Sequence, residues 1–146
     1  MGIVKAVCIS EQKGTQKKNI GKAQLIEEFG LQNDAHAGKW HRQVSLLSYE
    51  VIEAFKAKGA PITDGAFGEN LIVSGFDFKN LPVGTRFACN DVILEMTQIG
   101  KECHHGCEIR WIMGDCIMPR EGVFARVIHG GEIAVGDEMT LIERAD

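Results

Sequence analysis

A mostly β chain wound into a closed or nearly closed barrel is predicted by three features of the sequence. Apolar residues recur in short runs, many with the two-residue alternation of a strand that has one face in a core. Seventeen glycines punctuate these runs as corners. Before residue 100, only one segment has the three-to-four-residue apolar spacing of a helix packed on a core. Many short strands, glycine corners and one substantial helix suit a barrel better than repeated βαβ units.

In chain order, Ile3 to Ile9 alternates as IVKAVCI and reads as the first strand. A Gly/Lys/Gln-rich connection from Ser10 to Lys18 leads into a second, Lys22 to Phe29, and Gln43 to Leu47 is the third. Ser48 is placed to cap a helix from Tyr49 to about Lys58. Val51, Ile52 and Phe55 share one face of that helix, and Gly59 and Pro61 end it. The remaining strands are Asn70 to Val73, Arg86 to Ala88, Val92 to Thr97, Val123 to His129 and Glu138 to Ile142. Cys89-Asn90-Asp91 reads as a corner and Gly130-Gly131 as a tight hairpin. Pro82 to Phe87 (PVGTRF) and Ala134 to Met139 (AVGDEM) both set Val-Gly before a polar residue and a strand start, the mark of a barrel corner used twice.

Composition bounds the function. At 146 residues and 45% hydrophobic, the chain is long enough for one domain with a sizeable core and too short to expect two. It has no apolar stretch long enough to span a membrane, and the start MGIVKAVCIS lacks the pattern of an export signal, so a cytoplasmic protein without a membrane partner is expected. Five cysteines, an odd number, argue against a disulfide framework and suit a reducing compartment. A net charge of −4 speaks against a nucleic-acid partner. The charge is uneven, however: residues 1–42 carry seven Lys/Arg against four Asp/Glu, and residues 43–146 nine against sixteen. A local anion site in the first third stays open.

Three patches carry the chemistry. Lys101 to Cys116 (KECHHGCEIRWIMGDC) holds three of the five cysteines and two of the five histidines, and follows the strand-like run Asp91 to Ile99. Cys103 is therefore expected at a strand exit. It acts there as nucleophile or soft-metal ligand, as part of a structural zinc knot, or as an inert buried thiol. Cys107, in a freer segment, is the candidate second thiol or ligand; Cys116 has apolar neighbours and reads as core. The second patch is Asn33 to Arg42 (NDAHAGKWHR), where His36, Lys39 and Arg42 among small residues suit a phosphate or other oxyanion. The alternative there is a surface loop with Trp40 folded onto the core. The third is Gly65 to Asn70 (GAFGEN), where Glu69 and Asn70 orient a histidine, bind a heterocycle edge or cap the turn.

Taken together, DAHAG, HRQVSLL, GAFGENLIV, VGTRF, EMTQIGKEC and EGVFARVIHGG with VGDEM resemble, in order and spacing, the MOSC domain, named for the C-terminal part of molybdenum cofactor sulfurase. The resemblance covers about Val4 to Leu141 and implies a single MOSC-like domain over 1–146, a MOSC-type β-barrel with a few short helices. It further implies binding of the molybdenum cofactor, with Cys103 as sulfur carrier or molybdenum ligand and Cys107 as the second cysteine of some members. His36, Lys39, Arg42, Glu69 and Asn70 fall on or beside matching segments as cofactor-binding candidates. Asn33 stands where the family has glycine, and Glu102 where it commonly has proline before the cysteine. Family members are linked to reduction of N-hydroxylated compounds. Without a flavin, iron–sulfur or nicotinamide fingerprint in the sequence, such a role implies an external electron-donor reductase or a molybdoenzyme as partner; the oligomeric state is open, a homodimer among the options. A non-enzymatic cofactor carrier and a zinc-stabilised structural domain are the alternatives.

Overall fold

The computed structural model of the chain describes residues 2–12, 16–59, 63–100 and 122–143. The strands among them are β1 (Gly2–Ile9), β2 (Lys18–Asn19), β3 (Lys22–Ile26), β4 (Gly30–Leu31), β5 (Val44–Ser48), β6 (Leu71–Ser74), β7 (Arg86–Cys89), β8 (Val92–Ile99), β9 (Val123–His129), β10 (Gly131–Ala134) and β11 (Glu138–Glu143). Seven of them, in the order β11-β7-β8-β9-β5-β6-β1, close on themselves through β1 and β11, where Gly2 faces Met139. This is the expected barrel. A second sheet, β10-β3-β4, and the short β2 lie beside it.

A ring in which every neighbour is antiparallel needs an even number of strands, so seven strands require a parallel pair. β5 and β6 are that pair. Parallel neighbours need a long crossover, and α1 (Tyr49–Ala57) with residues 63–70 belongs to it. Ile52 and Phe55 of α1 are buried and Val51 packs beside them, as the spacing predicts. Ser48 does occupy the cap position, but its hydroxyl makes no bond to the helix backbone. It lies 2.8 Å from the Phe76 carbonyl, while Glu50 accepts the Gly75 N–H at 2.8 Å, so the helix start is tied to the segment after β6. Gly59 ends the helix at φ +93° with its N–H on the Lys56 carbonyl.

Two apolar clusters result. Val4, Val44, Leu46, Leu71, Val73 and Met96 belong to the barrel interior. Ala6, Cys8, Leu47, Ile52, Phe55, Phe67 and Phe124 fill the space between the barrel wall and α1. Every residue of β5 is buried because both of its faces are covered, so polarity does not alternate along it.

Two expectations are corrected. The strand expected over Lys22 to Phe29 stops at Ile26, where the Phe29 N–H folds back onto the Ile26 carbonyl at 3.0 Å and Glu28 adopts φ +54°. Gly130-Gly131 is not a hairpin: β9 pairs with β8 and β5, while β10 pairs with β3. The chain leaves the barrel there for the second sheet, passing so close to β3 that a Cβ on Gly130 would sit 2.6 Å from the Leu25 carbonyl oxygen. The Asn90 corner is a true β7–β8 hairpin, with Asn90 at φ +55°.

The corner expected to recur does so down to its hydrogen bonds. Thr85 donates to Pro82 O at 3.1 Å and Asp137 to Ala134 O at 3.0 Å. Gly84 and Gly136 take φ +98° and +96° at the third turn position, a conformation that favours glycine. Each glycine N–H reaches a carbonyl on the neighbouring strand at 2.8 Å, that of Met96 or Val4. Met96 and Val4 each return an N–H, at 2.9 Å, to the carbonyl after the glycine. The side chains differ: Asp137 accepts the Ala134 N–H at 2.8 Å, whereas Pro82 has no N–H and the buried Thr85 hydroxyl has no partner among the described residues.

Candidate functional site

The loop between β4 and β5 and the turn before β6 meet at a pocket of about 90 Å³ lined by His36, Trp40, Arg42, Ser45, Gly68, Asn70 and Phe124. Its fixed part is Asn70. The side-chain oxygen accepts the Ser45 N–H at 2.9 Å, the side-chain nitrogen donates to the Cys8 carbonyl at 3.0 Å, and the Cys8 N–H returns to the Asn70 carbonyl. One amide thereby joins β1, β5 and the start of β6 behind the pocket.

Glu69 is fully buried. It accepts the Gly65 N–H at 3.2 Å and the Phe67 N–H at 3.0 Å, so both oxygens organise the turn. Burial pushes its carboxyl up to about 7 even though these amides pull the other way.

Opposite it, Asp34 is also buried, but beside a cation: Lys17 Nζ lies 2.6 Å from Asp34 Oδ1, with both side chains sealed from solvent. The same ammonium reaches Ser10 Oγ at 3.3 Å and His36 Nδ1 at 2.9 Å. Asp34 completes its own set with the Ser10 N–H at 3.1 Å and the His36 N–H at 3.3 Å. Asn33 takes φ +68°, a left-handed conformation that asparagine tolerates better than most residues. Lys17 also donates its backbone N–H to the Gly65 carbonyl at 2.9 Å, and a Cβ on Gly65 would lie 2.1 Å from the Lys17 carbonyl oxygen. The two walls are thus in backbone contact.

Arg42 is half-buried, with its guanidinium 5.2 Å from the centre of the Phe124 ring and its Nε donating to Gln98 Oε1 at 3.1 Å. Gln98 is held in turn by His41 Nε2 at 2.8 Å and by its own bond to the Gly100 carbonyl at 2.7 Å. The two terminal nitrogens of Arg42 are left unengaged by the described residues. Trp40 stands at the rim, 40% exposed, with its indole N–H on the His36 carbonyl at 2.8 Å, so it is not folded into the core.

Of the residues singled out in the sequence, His36, Arg42 and Asn70 therefore line one pocket, and Glu69 braces its turn. Lys39 is exposed and lies outside the lining. Cys103 and Cys107, like His104, His105 and Cys116, fall outside the described residues. Cys8 and Cys89 are buried thiols, pushed up by desolvation to about 12 and about 11, and are not thiolate candidates. Among the described residues no group of three or more His, Cys, Asp or Glu is arranged to hold a metal, and no helix is long and apolar enough to cross a membrane. Lys17 was not singled out in the sequence. It lies in a connection rich in lysine and glutamine, where nothing local separates a buried ammonium from a solvated one.

A model of the MOSC domain matches residues 33–140. A protein named reductase from Gibberella moniliformis is 27% identical over 128 residues, covering 79% of this chain and 23% of that protein, so the chain spans about a quarter of that relative's length. Among solved structures, YuaD from Bacillus subtilis superposes with a TM-score of 0.78 at 21% identity, covering 95% of this chain and 94% of that one. YiiM from Geobacillus stearothermophilus does so with a TM-score of 0.73 at 16% identity, covering 98% and 76%. These likenesses are of fold.

Proposed function

The chain belongs to the MOSC domain family, and from that premise we propose that its pocket grips an oxyanion end, a phosphate above all, of the molybdenum cofactor, with Arg42 and His36 as donors. The observation that carries the reading is Arg42. Its position is set by Gln98 and Phe124 while its terminal nitrogens remain available among the described residues, which is how a guanidinium is presented to phosphate in bidentate geometry. Volume supports a grip on one end of the cofactor: about 90 Å³ takes a tetrahedral oxyanion, whereas pockets that enclose a ligand of pterin size run to about 300 Å³ or more. When bound, the cofactor supplies a soft redox metal for oxygen-atom or sulfur chemistry. The chain's own contribution is the anion grip and, in this proposal, Cys103 as metal ligand or sulfur carrier with Cys107 as second thiol.

A redox role in reducing N-hydroxylated compounds is the finer form of this reading. The likeness to a protein named reductase supports it. Protein purified from cofactor-competent cells is expected to carry molybdenum and pterin. Cofactor without turnover would assign the chain to delivery of the pterin, and stoichiometric zinc without pterin would assign a structural role. Arg42→Ala is expected to weaken calorimetric binding of inorganic phosphate and of molybdopterin by about tenfold or more, the scale of a lost charge-assisted bond, with little change in melting temperature. Unchanged binding would reduce Arg42 to a cover for Phe124. Cys103→Ser is expected to abolish cofactor-dependent turnover or persulfide formation in a folded protein, and Cys107→Ser to lower it in part; full activity in both would end the thiol mechanism.

A further inference from the structure

We propose that Lys17 is a positioning residue of this site: its buried ammonium holds His36 by Nδ1, which keeps the ring proton on Nε2, makes the imidazole an anion donor and closes it to metal ligation. The assignment follows from counting protons. An ammonium has three donors and no acceptor, and Lys17 Nζ has three partners, Asp34 Oδ1 at 2.6 Å, His36 Nδ1 at 2.9 Å and Ser10 Oγ at 3.3 Å. The Asp34 carboxylate keeps Lys17 charged, since a neutral amine there would leave a sealed carboxylate without a cation. Ser10 can accept because its own proton goes to the Gln12 carbonyl at 3.1 Å. His36 Nδ1 must then accept as well, and a neutral ring with an accepting Nδ1 carries its hydrogen on Nε2. Metal ligation needs a bare ring nitrogen, and this arrangement offers none. His36 lines the pocket beside Arg42, and in this proposal its Nε2–H is the second donor to the anion.

Lys17 comes from a segment that precedes the matched residues 33–140. Its main chain is tied to Gly65 on the opposite wall, so the same residue that orients His36 also sets the spacing between the walls. The role as anion donor rests on the oxyanion reading given above; the Lys17–His36 bond does not.

The test is nuclear magnetic resonance on protein labelled with ¹⁵N in histidine and lysine, with His36 assigned by loss of its signals in His36→Gln. The expected result is a protonated Nε2, and a bare Nδ1 coupled across the hydrogen bond to a slowly exchanging Lys17 ammonium. Both should persist when Zn²⁺ is added, and inorganic phosphate should shift the Nε2–H. A proton on Nδ1, a freely exchanging Lys17 ammonium, or Zn²⁺ bound to either ring nitrogen would overturn the proposal. Lys17→Met combined with Asp34→Asn removes both buried charges together. It is expected to weaken phosphate binding about tenfold although Arg42 is intact, and unchanged affinity would overturn the positioning role; should the double variant fail to fold, the spectra of the unaltered protein decide. Phosphate that leaves a correctly held His36 unmoved would instead overturn the oxyanion reading of the pocket.

Discussion

The two walls of the pocket are each organised by a buried carboxylate, and they solve the same problem differently. Asp34 is compensated by an ammonium, so its loop is held by a complete ion pair with every donor matched. Glu69 has two backbone amides and, among the described residues, no cation at hydrogen-bond distance, and burial raises its proton affinity accordingly. The contrast teaches that burial alone does not decide the charge of a carboxylate: partner type does. Burial makes the Glu69 wall sensitive to pH near neutrality.

The largest expected effect breaks the first wall. Lys17→Ala strands Asp34 as a sealed, uncompensated charge, and should cost about 3–5 kcal/mol in urea unfolding. A loss below about 1 kcal/mol would mean that water reaches Asp34 and that the wall is not sealed.

The second prediction concerns pH. Glu69 binds its proton more tightly in the folded state, at about 7, than at the ordinary 4.5. Its favourable contribution is complete below 4.5, declines as pH rises, and is gone above about 7. The difference amounts to about 3 kcal/mol. Unfolding midpoints compared at pH 5 and pH 8 should show this decline in the native sequence and lack it in Glu69→Gln. Equal slopes in the two proteins would place the charge compensation of Glu69 elsewhere. A smaller effect sharpens the same contrast: at pH 5, where the native carboxyl holds its proton, Glu69→Gln should cost about 1–3 kcal/mol, because an amide NH₂ must face a backbone donor in the turn. Stability unchanged at that pH would show that the turn does not need two acceptors.

Much of this was legible beforehand, for physical reasons. Alternation and glycine corners marked the barrel because each strand has one period and each corner one conformation to satisfy. α1 was visible because Val51, Ile52 and Phe55 share a face. The GAFGEN turn and the His36 to Arg42 loop could be picked out as patches because small residues and polar side chains concentrate there. What stayed hidden depends on distant pairing. Lys17 meets Asp34 seventeen residues away and Gln98 meets Arg42 across fifty-six, and neither partner marks the other locally. The Gly130-Gly131 exit to β3 reads as a hairpin in the sequence because a hairpin and a change of sheet use the same residues, and only the strand that receives the chain distinguishes them.

The doubled corner provides an internal control. At residues 82–85 and 134–137 the barrel holds one backbone arrangement with two side-chain sets, so the worth of the corner's side-chain bonds, those of Asp137 to Ala134 and Asn90, can be measured without changing the scaffold. Where Asp137 caps an N–H, the Thr85 hydroxyl waits beside a proline that has none to give. Thr85→Val should therefore raise stability by about 1 kcal/mol, and Asp137→Val at the twin position should lower it by about 1–3 kcal/mol, since Asp137 Oδ2 accepts the Asn90 side-chain amide at 2.8 Å as well as the Ala134 N–H. Opposite signs from matched substitutions would make this barrel a calibration standard for turn chemistry, with each corner serving as the reference for the other.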